Sequence, residues 1–423
     1  MKELAKYSMG IGDRFGREGI AQVEAFKELE RQQGVVVTPV WNKSNREHAI
    51  IGTTPADVRA EADASVRSAG WQHPYFVDAD HISLKNVDAF VEASDFFTLD
   101  VADYIGETMD EGEIYAFVAR HEALIGEHAI EGLSEPLTLT RPQFAENVRS
   151  ILFAVRQAGR LYRHIAEKKG SEDFVTEISM DEASVVQTPA MLLVILAAVA
   201  EECIPLQTIA PKFPGSFYKG VDYSGDAAAF GREFDADACV VRHAAQRFGL
   251  PRGLKLSIHS GSDKFAVYPH VAQTLKKRGV GVHVKTSGTT WLEELAGLAI
   301  AGGEGLSVAK EIYAHARPQV KALCAPYAGV IKVSSKRLPR VEEVETWDGA
   351  RFAGALRNAP GDSRYNPEFR QFLHVAYKVA ADMGERYLNV LDANKAVVSR
   401  HVTTNLYERH LKPIFGELAG ACV

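Results

Sequence analysis

Cysteine is scarce in this chain. Four residues, at positions 203, 239, 324 and 422, are scattered over 423 with no Cys-x-x-Cys pair. That pattern excludes a disulfide framework and a zinc ribbon, and it points to incidental thiols in a reducing compartment. Long apolar runs are missing as well: the longest, 191–200, is far shorter than the ~20 residues of a membrane helix. Positive charge is not in excess. The net charge is −7, which argues against nucleic acid as a bulk partner. The glycine turn at 10–16 (GIGDRFG) lacks the G-x-G-x-x-G spacing and no Walker loop occurs, so a nucleotide-binding reading is poor. The opening residues show no signal-peptide pattern, and the cytoplasm is the expected compartment.

What is present is a β/α alternation. Short strand-like stretches stand at 7–11, 35–40, 75–77, 96–99, 174–178, 206–210, 254–258 and 280–284, and the one at 35–40 is an unbroken β-branched run of the kind buried parallel strands use. Helical periodicity separates most of them. Thr54-Pro55 and Thr188-Pro189 read as helix starts with proline in the first turn. The alternation predicts an α/β fold of the (β/α)₈ barrel type over residues 1–302. Residues 101–170 carry more helix than one repeat needs and are expected to form a helical insertion. Residues 303–423 are expected to be a mostly helical extension, with one strand at 329–333, packed on the barrel's open end or engaged in subunit contacts. Homo-oligomerisation is left open.

In such a barrel the reacting groups sit where strands end. Three predicted strand ends carry a histidine: His81, His259 and His283. Converging imidazoles suit a catalytic divalent ion, and the residue types fit zinc, manganese, cobalt or nickel equally. Asp80, beside His81, is the expected base and Glu177, roughly opposite, the complementary acid. Arg14, Lys43, Lys212, Lys264 and Lys285 suit a carboxylate or phosphate on a small substrate, with Ser260 and Asp263 as further polar contacts. Lys285 could alternatively form a Schiff base, although the histidines favour metal chemistry.

Four segments carry a resemblance: 212–223 (KFPGSFYKGVDY), 257–265 (SIHSGSDKF), 283–290 (HVKTSGTT) and 401–411 (HVTTNLYERHL). They resemble the bacterial tagaturonate/fructuronate epimerase family, and the likeness runs across most of the chain. It implies a metal-dependent enzyme of hexuronate catabolism that interconverts D-tagaturonate and D-fructuronate, anionic ketouronates differing at C4. With the ketone at C2, the C4 proton is not acidic. Retro-aldol cleavage of C3–C4, rotation of the aldehyde half and re-addition can invert that centre, with a Lewis acid on the C2 carbonyl. Transient oxidation at C4 would need a nicotinamide motif, and none is visible. The alternatives are a metal-dependent aldolase or a sugar isomerase on the same scaffold, and a non-catalytic carbohydrate-binding protein.

Overall fold

Eight short strands, nearly all of their residues buried, form the centre of the computed structural model, which describes residues 2–286 and 288–418. Ser287, within the segment 283–290, and the cysteine at 422 lie outside the described residues. The strands are β1 (Tyr7–Ile11), β2 (Thr38–Ser44), β3 (Phe76–Ile82), β4 (Phe96–Asp100), β5 (Val175–Ser179), β6 (Thr208–Ala210), β7 (Lys255–His259) and β8 (Val282–Lys285). All pair in parallel with their sequence neighbours, and β1 closes the ring on β8 with Gly10 opposite Lys285. The expected barrel is therefore present, with each strand within a few residues of its predicted position.

Gly10 is required by this closure. A Cβ there would sit 2.9 Å from Lys285 Cγ and 2.7 Å from Asn42 Nδ2. Its absence is what lets the long lysine lie inside the ring.

The helical ring is less regular than eight βα repeats. Helices α1 (Gly19–Gln33) and α2 (Pro55–Ala69) follow β1 and β2, each ended by a left-handed glycine, Gly34 and Gly70. Between β3 and β4 stands only a single 3₁₀ turn, Val87–Ala89. The stretch expected as an insertion divides in two. Its first part is a short helix, Glu111–Arg120, and a small hairpin, Gly126–His128 with Leu137–Leu139. Its second part, α3 (Arg141–Lys169), is the barrel's own helix after β4, started by a Thr140–Gln143 capping box.

The apolar run 191–200 falls mainly in α4 (Pro189–Glu201), which packs between α3 and α5 (Ala227–Phe248) and is apolar on every side because it is covered on every side. No helix among the described residues is long and apolar enough to cross a membrane. α6 (Tyr268–Arg278) follows β7.

After β8 the path departs from the repeat. α7 (Thr289–Ala301) packs into a second core with the helices of the extension, through Trp291, Leu295 and Leu298 against Phe352, Phe369 and Tyr377. The eighth seat on the barrel is filled from the far end of the chain. Helix α8 (Lys395–Thr404) runs on into a π-helical turn, Asn405–Leu411, and a last short helix, Lys412–Phe415. This rod lies against α1 and α6, and it places Leu411, Ile414 and Phe415 in the barrel core. The strand expected at 329–333 is absent, replaced by a turn and an irregular stretch from which the Val330 carbonyl accepts from Lys219 N at 2.8 Å.

Candidate active site

A cavity of about 570 Å³ opens at the C-terminal ends of the strands. Its floor carries Asp80, His81, Asp100, Asp181, His259 and Lys285. Its walls come from a short helix directly after β2, Asn45–Ile51, and the loop after β6, and its roof from Tyr327, Val330 and His374 of the extension.

Strand alternation alone does not place His81 there. Asp78 and Asp80 point into the barrel and both accept from Lys285, so the next residue of a regular strand would face the helices. The β3–β4 register shifts between Ala79 and Ile82, and His81 takes a left-handed φ of 52°. A bulge of this kind re-aims one side chain, and here it turns the imidazole into the mouth. A left-handed non-glycine residue costs roughly 1 kcal/mol, a strain of the sort found at functional sites.

Among the described residues, His81, Asp181 and His259 form the group able to hold a metal ion, with one ligand atom from each lying within 4.8 Å of the others. Each histidine is backed by a carboxylate on its other nitrogen. His259 Nε2 donates to Glu177 Oε1 at 2.8 Å, leaving Nδ1 facing Asp181 Oδ1 at 3.4 Å. His81 Nδ1 donates to Asp100 Oδ2 at 3.2 Å, leaving Nε2 free. Carboxylate-backed imidazoles around an open carboxylate are the donor set of catalytic divalent-metal sites, so these residues fit such an ion. Burial would lower the His81 pKa, but Asp80, Asp100 and Asp181 outweigh it and raise it to about 10. The His259 imidazole is raised too, by Asp181 and Glu177 acting against burial.

Lys285 sits beneath this group. Its Nζ lies 2.8 Å from Asp78, 3.1 Å from Asp80 and 3.0 Å from Glu177, and donates to Thr98 Oγ1 at 2.6 Å. Burial opposes its charge, but the three carboxylates hold its pKa well above the usual lysine value. A lysine held protonated by three carboxylates is a poor nucleophile, which weighs against the Schiff-base reading. Its donors are already engaged by protein carboxylates, so its role is to neutralise them. Asp78 is pushed up to about 7, mainly by burial. Asp80 is held below its ordinary value because Lys285 and the two imidazoles overcome burial.

Several expected site residues are placed elsewhere. His283 lies two residues before Lys285 on the same strand, hence one layer deeper in the barrel. It is fully buried, its Nδ1 is 2.9 Å from Ser8 Oγ, and its ring packs 5.3 Å from Phe96. Burial lowers its pKa to about 3. It does not reach the metal-type group; Asp181 stands in the place expected for it. Glu177 is also sealed, accepting from Thr208 Oγ1 at 2.7 Å as well as from His259. Lys285 and His259 overcome its burial and hold its pKa well below the ordinary carboxylate value, and it does not line the cavity, so the geometry gives it the task of positioning His259 and not the acid role expected of it.

The remaining polar set divides in the same way. Lys264 is buried, donating to Val221 O at 2.9 Å, and Asp263 is buried against Arg370 at 2.8 Å with His410 3.3 Å away. Ser260 Oγ donates to the Lys285 carbonyl, and Lys43 Nζ donates to Arg14 O at 3.0 Å. None of these four lines the cavity. Arg14 does, although Glu47 pairs with it at 3.0 Å, and Lys212 does as well. Lys219 and His374 line the cavity without having been expected. Both His374 ring nitrogens are buried and lack partners, and burial together with Arg14 holds its pKa well below normal. Asp181 missed the expected set, although the Asp181-Glu182 pair just after the fifth strand is a visible strand-end signal. His374 was not legible, because it lies in a helix far from any barrel strand.

Comparisons with known proteins agree with this architecture. The family model described as tagaturonate epimerase matches residues 1–413. A curated tagaturonate/fructuronate epimerase of Thermotoga maritima is 26% identical over 424 residues, covering 97% of this chain and 81% of the relative. A crystal structure of fructuronate-tagaturonate epimerase from Cohnella laeviribosi, complexed with one glycerol, superposes with a TM-score of 0.80 at 22% identity, over 98% of this chain and 82% of that one. The native structure of the same protein gives 0.78 at 23% identity, with the same coverage.

Proposed function

This chain belongs to the tagaturonate epimerase family and is an enzyme; from that premise we propose that it interconverts D-tagaturonate and D-fructuronate at C4, using one divalent metal ion and retro-aldol chemistry. The observation that carries the reading is the His81, Asp181 and His259 group on the floor of a cavity whose wall presents Lys212 and Lys219. Neither lysine has a carboxylate partner among the described residues, so both are available to the C6 carboxylate of the substrate. His81, Asp181 and His259 would hold the ion, which when bound supplies Lewis-acid polarisation of the C2 carbonyl.

The chain's own residues then do the following. Asp80, kept ionised by Lys285, accepts the C4 hydroxyl proton. The C4–O electrons form the aldehyde carbonyl, the C3–C4 bond breaks, and its electron pair passes to the C2–C3 enediolate. Lys212 and Lys219 retain the aldehyde half by its carboxylate while it rotates. Re-addition on the opposite face leaves an alkoxide directed away from Asp80. Tyr218, on the β6 loop across the mouth, donates the proton; Lys332 and Ser216 hold its phenol below the ordinary value. His374 remains a neutral hydrogen-bonding group for a sugar hydroxyl.

The test is incubation of metal-replete and EDTA-treated protein with D-tagaturonate, followed by NMR. Metal-dependent appearance of D-fructuronate is expected. Accumulation of free three-carbon fragments would replace the epimerase reading with an aldolase, and full conversion after EDTA treatment would remove the metal.

A further inference from the structure

A second cavity, of about 400 Å³, opens away from the barrel mouth, between α7, the helix Gly349–Leu356 and the C-terminal rod. It is within the size range of small-ligand sites. One side is apolar, built from Ala296, Ile300 and Ala353. The other presents Arg357, Arg400 and Arg409. On a chain of net charge −7, a concentration of guanidinium groups around one hollow is a local reversal of sign.

The acidic groups nearby offset it only in part: Asp263 and Glu293 act on Arg409, and Asp362 on Arg357, but each is mainly engaged elsewhere or serves a single arginine. Glu408 pairs with Lys412 at 2.9 Å, and Glu293 accepts from Asn405 Nδ2 at 2.9 Å. Asp362 is occupied by Arg364 at 2.6 Å. Arg357 and Arg400 have no carboxylate partner among the described residues. Two further atoms lack partners. Arg409 Nη1 is buried without an acceptor, and Asn405, 4% exposed, keeps its Oδ1 without a donor. Unpartnered buried polar atoms are destabilising, and a ligand is one way to satisfy them. Both residues belong to the π-helical turn Asn405–Leu411, a distortion that recurs at functional sites. The turn falls in a segment, 401–411, that the barrel-mouth chemistry leaves unused.

We propose that this cavity binds a small organic anion, with its carboxylate or phosphate head on Arg357, Arg400 and Arg409 and its apolar body against Ala296, Ile300 and Ala353. Arginine forks suit either head group.

The test is titration of the full chain with 4-fluorobenzoate and, separately, phenyl phosphate, read by NMR line broadening. Saturable binding of at least one is expected, weakened about tenfold or more in the R357Q/R400Q double variant, a loss of about 1.4 kcal/mol or more. The better probe identifies the head group. Binding should survive Lys212→Gln, which alters only the first cavity. Absence of saturable binding by both probes would overturn the proposal. So would equal binding by the double variant, or loss of binding in Lys212→Gln. A native dimer that dissociates in the double variant would also overturn it, by assigning the arginines to a subunit interface.

Discussion

At the scale of single residues, the site is decided by which nitrogen of each histidine is already engaged. Glu177 takes Nε2 of His259 and Asp100 takes Nδ1 of His81, so the two remaining nitrogens are turned toward Asp181. Loss of a proposed ligand should therefore differ sharply from loss of the deeper histidine. If the proposed ion is bound, Asp181→Ala is expected to lower metal retention by at least the roughly 10–100-fold that loss of an outer-shell partner costs, whereas His283→Ala should leave metal retention unchanged and lose only stability. Metal content after dialysis, measured by mass spectrometry, checks this, and equal loss in both variants would restore His283 as a ligand. His374 belongs to the same scale. It lines the cavity and both of its ring nitrogens lack partners, so His374→Ala should raise KM about tenfold, the worth of one hydrogen bond of roughly 1.4 kcal/mol, with metal content unchanged. A fall in kcat at constant KM would contradict a binding role. Sequence reading found His81 and His259 because strand-end position is visible as a pattern. It misplaced His283 because a two-residue offset along a strand, one whole layer of depth, is invisible without the register.

At the scale of elements, what the sequence shows and what it hides follow from the range of the forces involved. The eight strands are legible because each is a short buried run, and the helix of α3 because its periodicity is local, although its place as the barrel's own helix is not. The β3 bulge is not legible, since it arises from pairing with β4 and not from its own residues. Helix α5 carries a different tension. Asp237 is fully buried in it, both carboxyl oxygens lack partners, and burial with Glu233 nearby raises its pKa well above normal. A carboxyl whose pKa is higher in the folded than in the unfolded chain binds more protons when folded. Its contribution thus favours folding at low pH and is lost as pH rises from about 4, the unfolded value, through the folded one. Asp237→Asn removes that titration. The variant's stability relative to the parent should improve between pH 5 and pH 8, by about 1 kcal/mol or more. Thermal unfolding at both pH values measures this, and a pH-independent difference would show that Asp237 does not titrate over that range.

At the scale of the whole molecule, the extension both completes the ring of helices and roofs the cavity. Its first helices share a core with α7 and bring Tyr327, Val330 and His374 over the mouth, while its last rod occupies the barrel's eighth helical seat. The sequence does not disclose this exchange. α7 follows β8 directly and reads as the natural eighth helix, and only long-range packing reveals that residues about a hundred positions later take the seat. The barrel then depends on its distant end. Leu411 is fully buried against it, and Tyr7 of β1 packs 5.6 Å from Phe415. Leu411→Ala should cost about 2–5 kcal/mol. If the rod is an integral part of the barrel, that cost falls on the cooperative unfolding of the barrel itself. Amide hydrogen exchange in β1 and β8 would then accelerate together with exchange in the rod. If only the rod's own amides speed up while the strands keep full protection, the rod is a peripheral cover and the barrel closes without it.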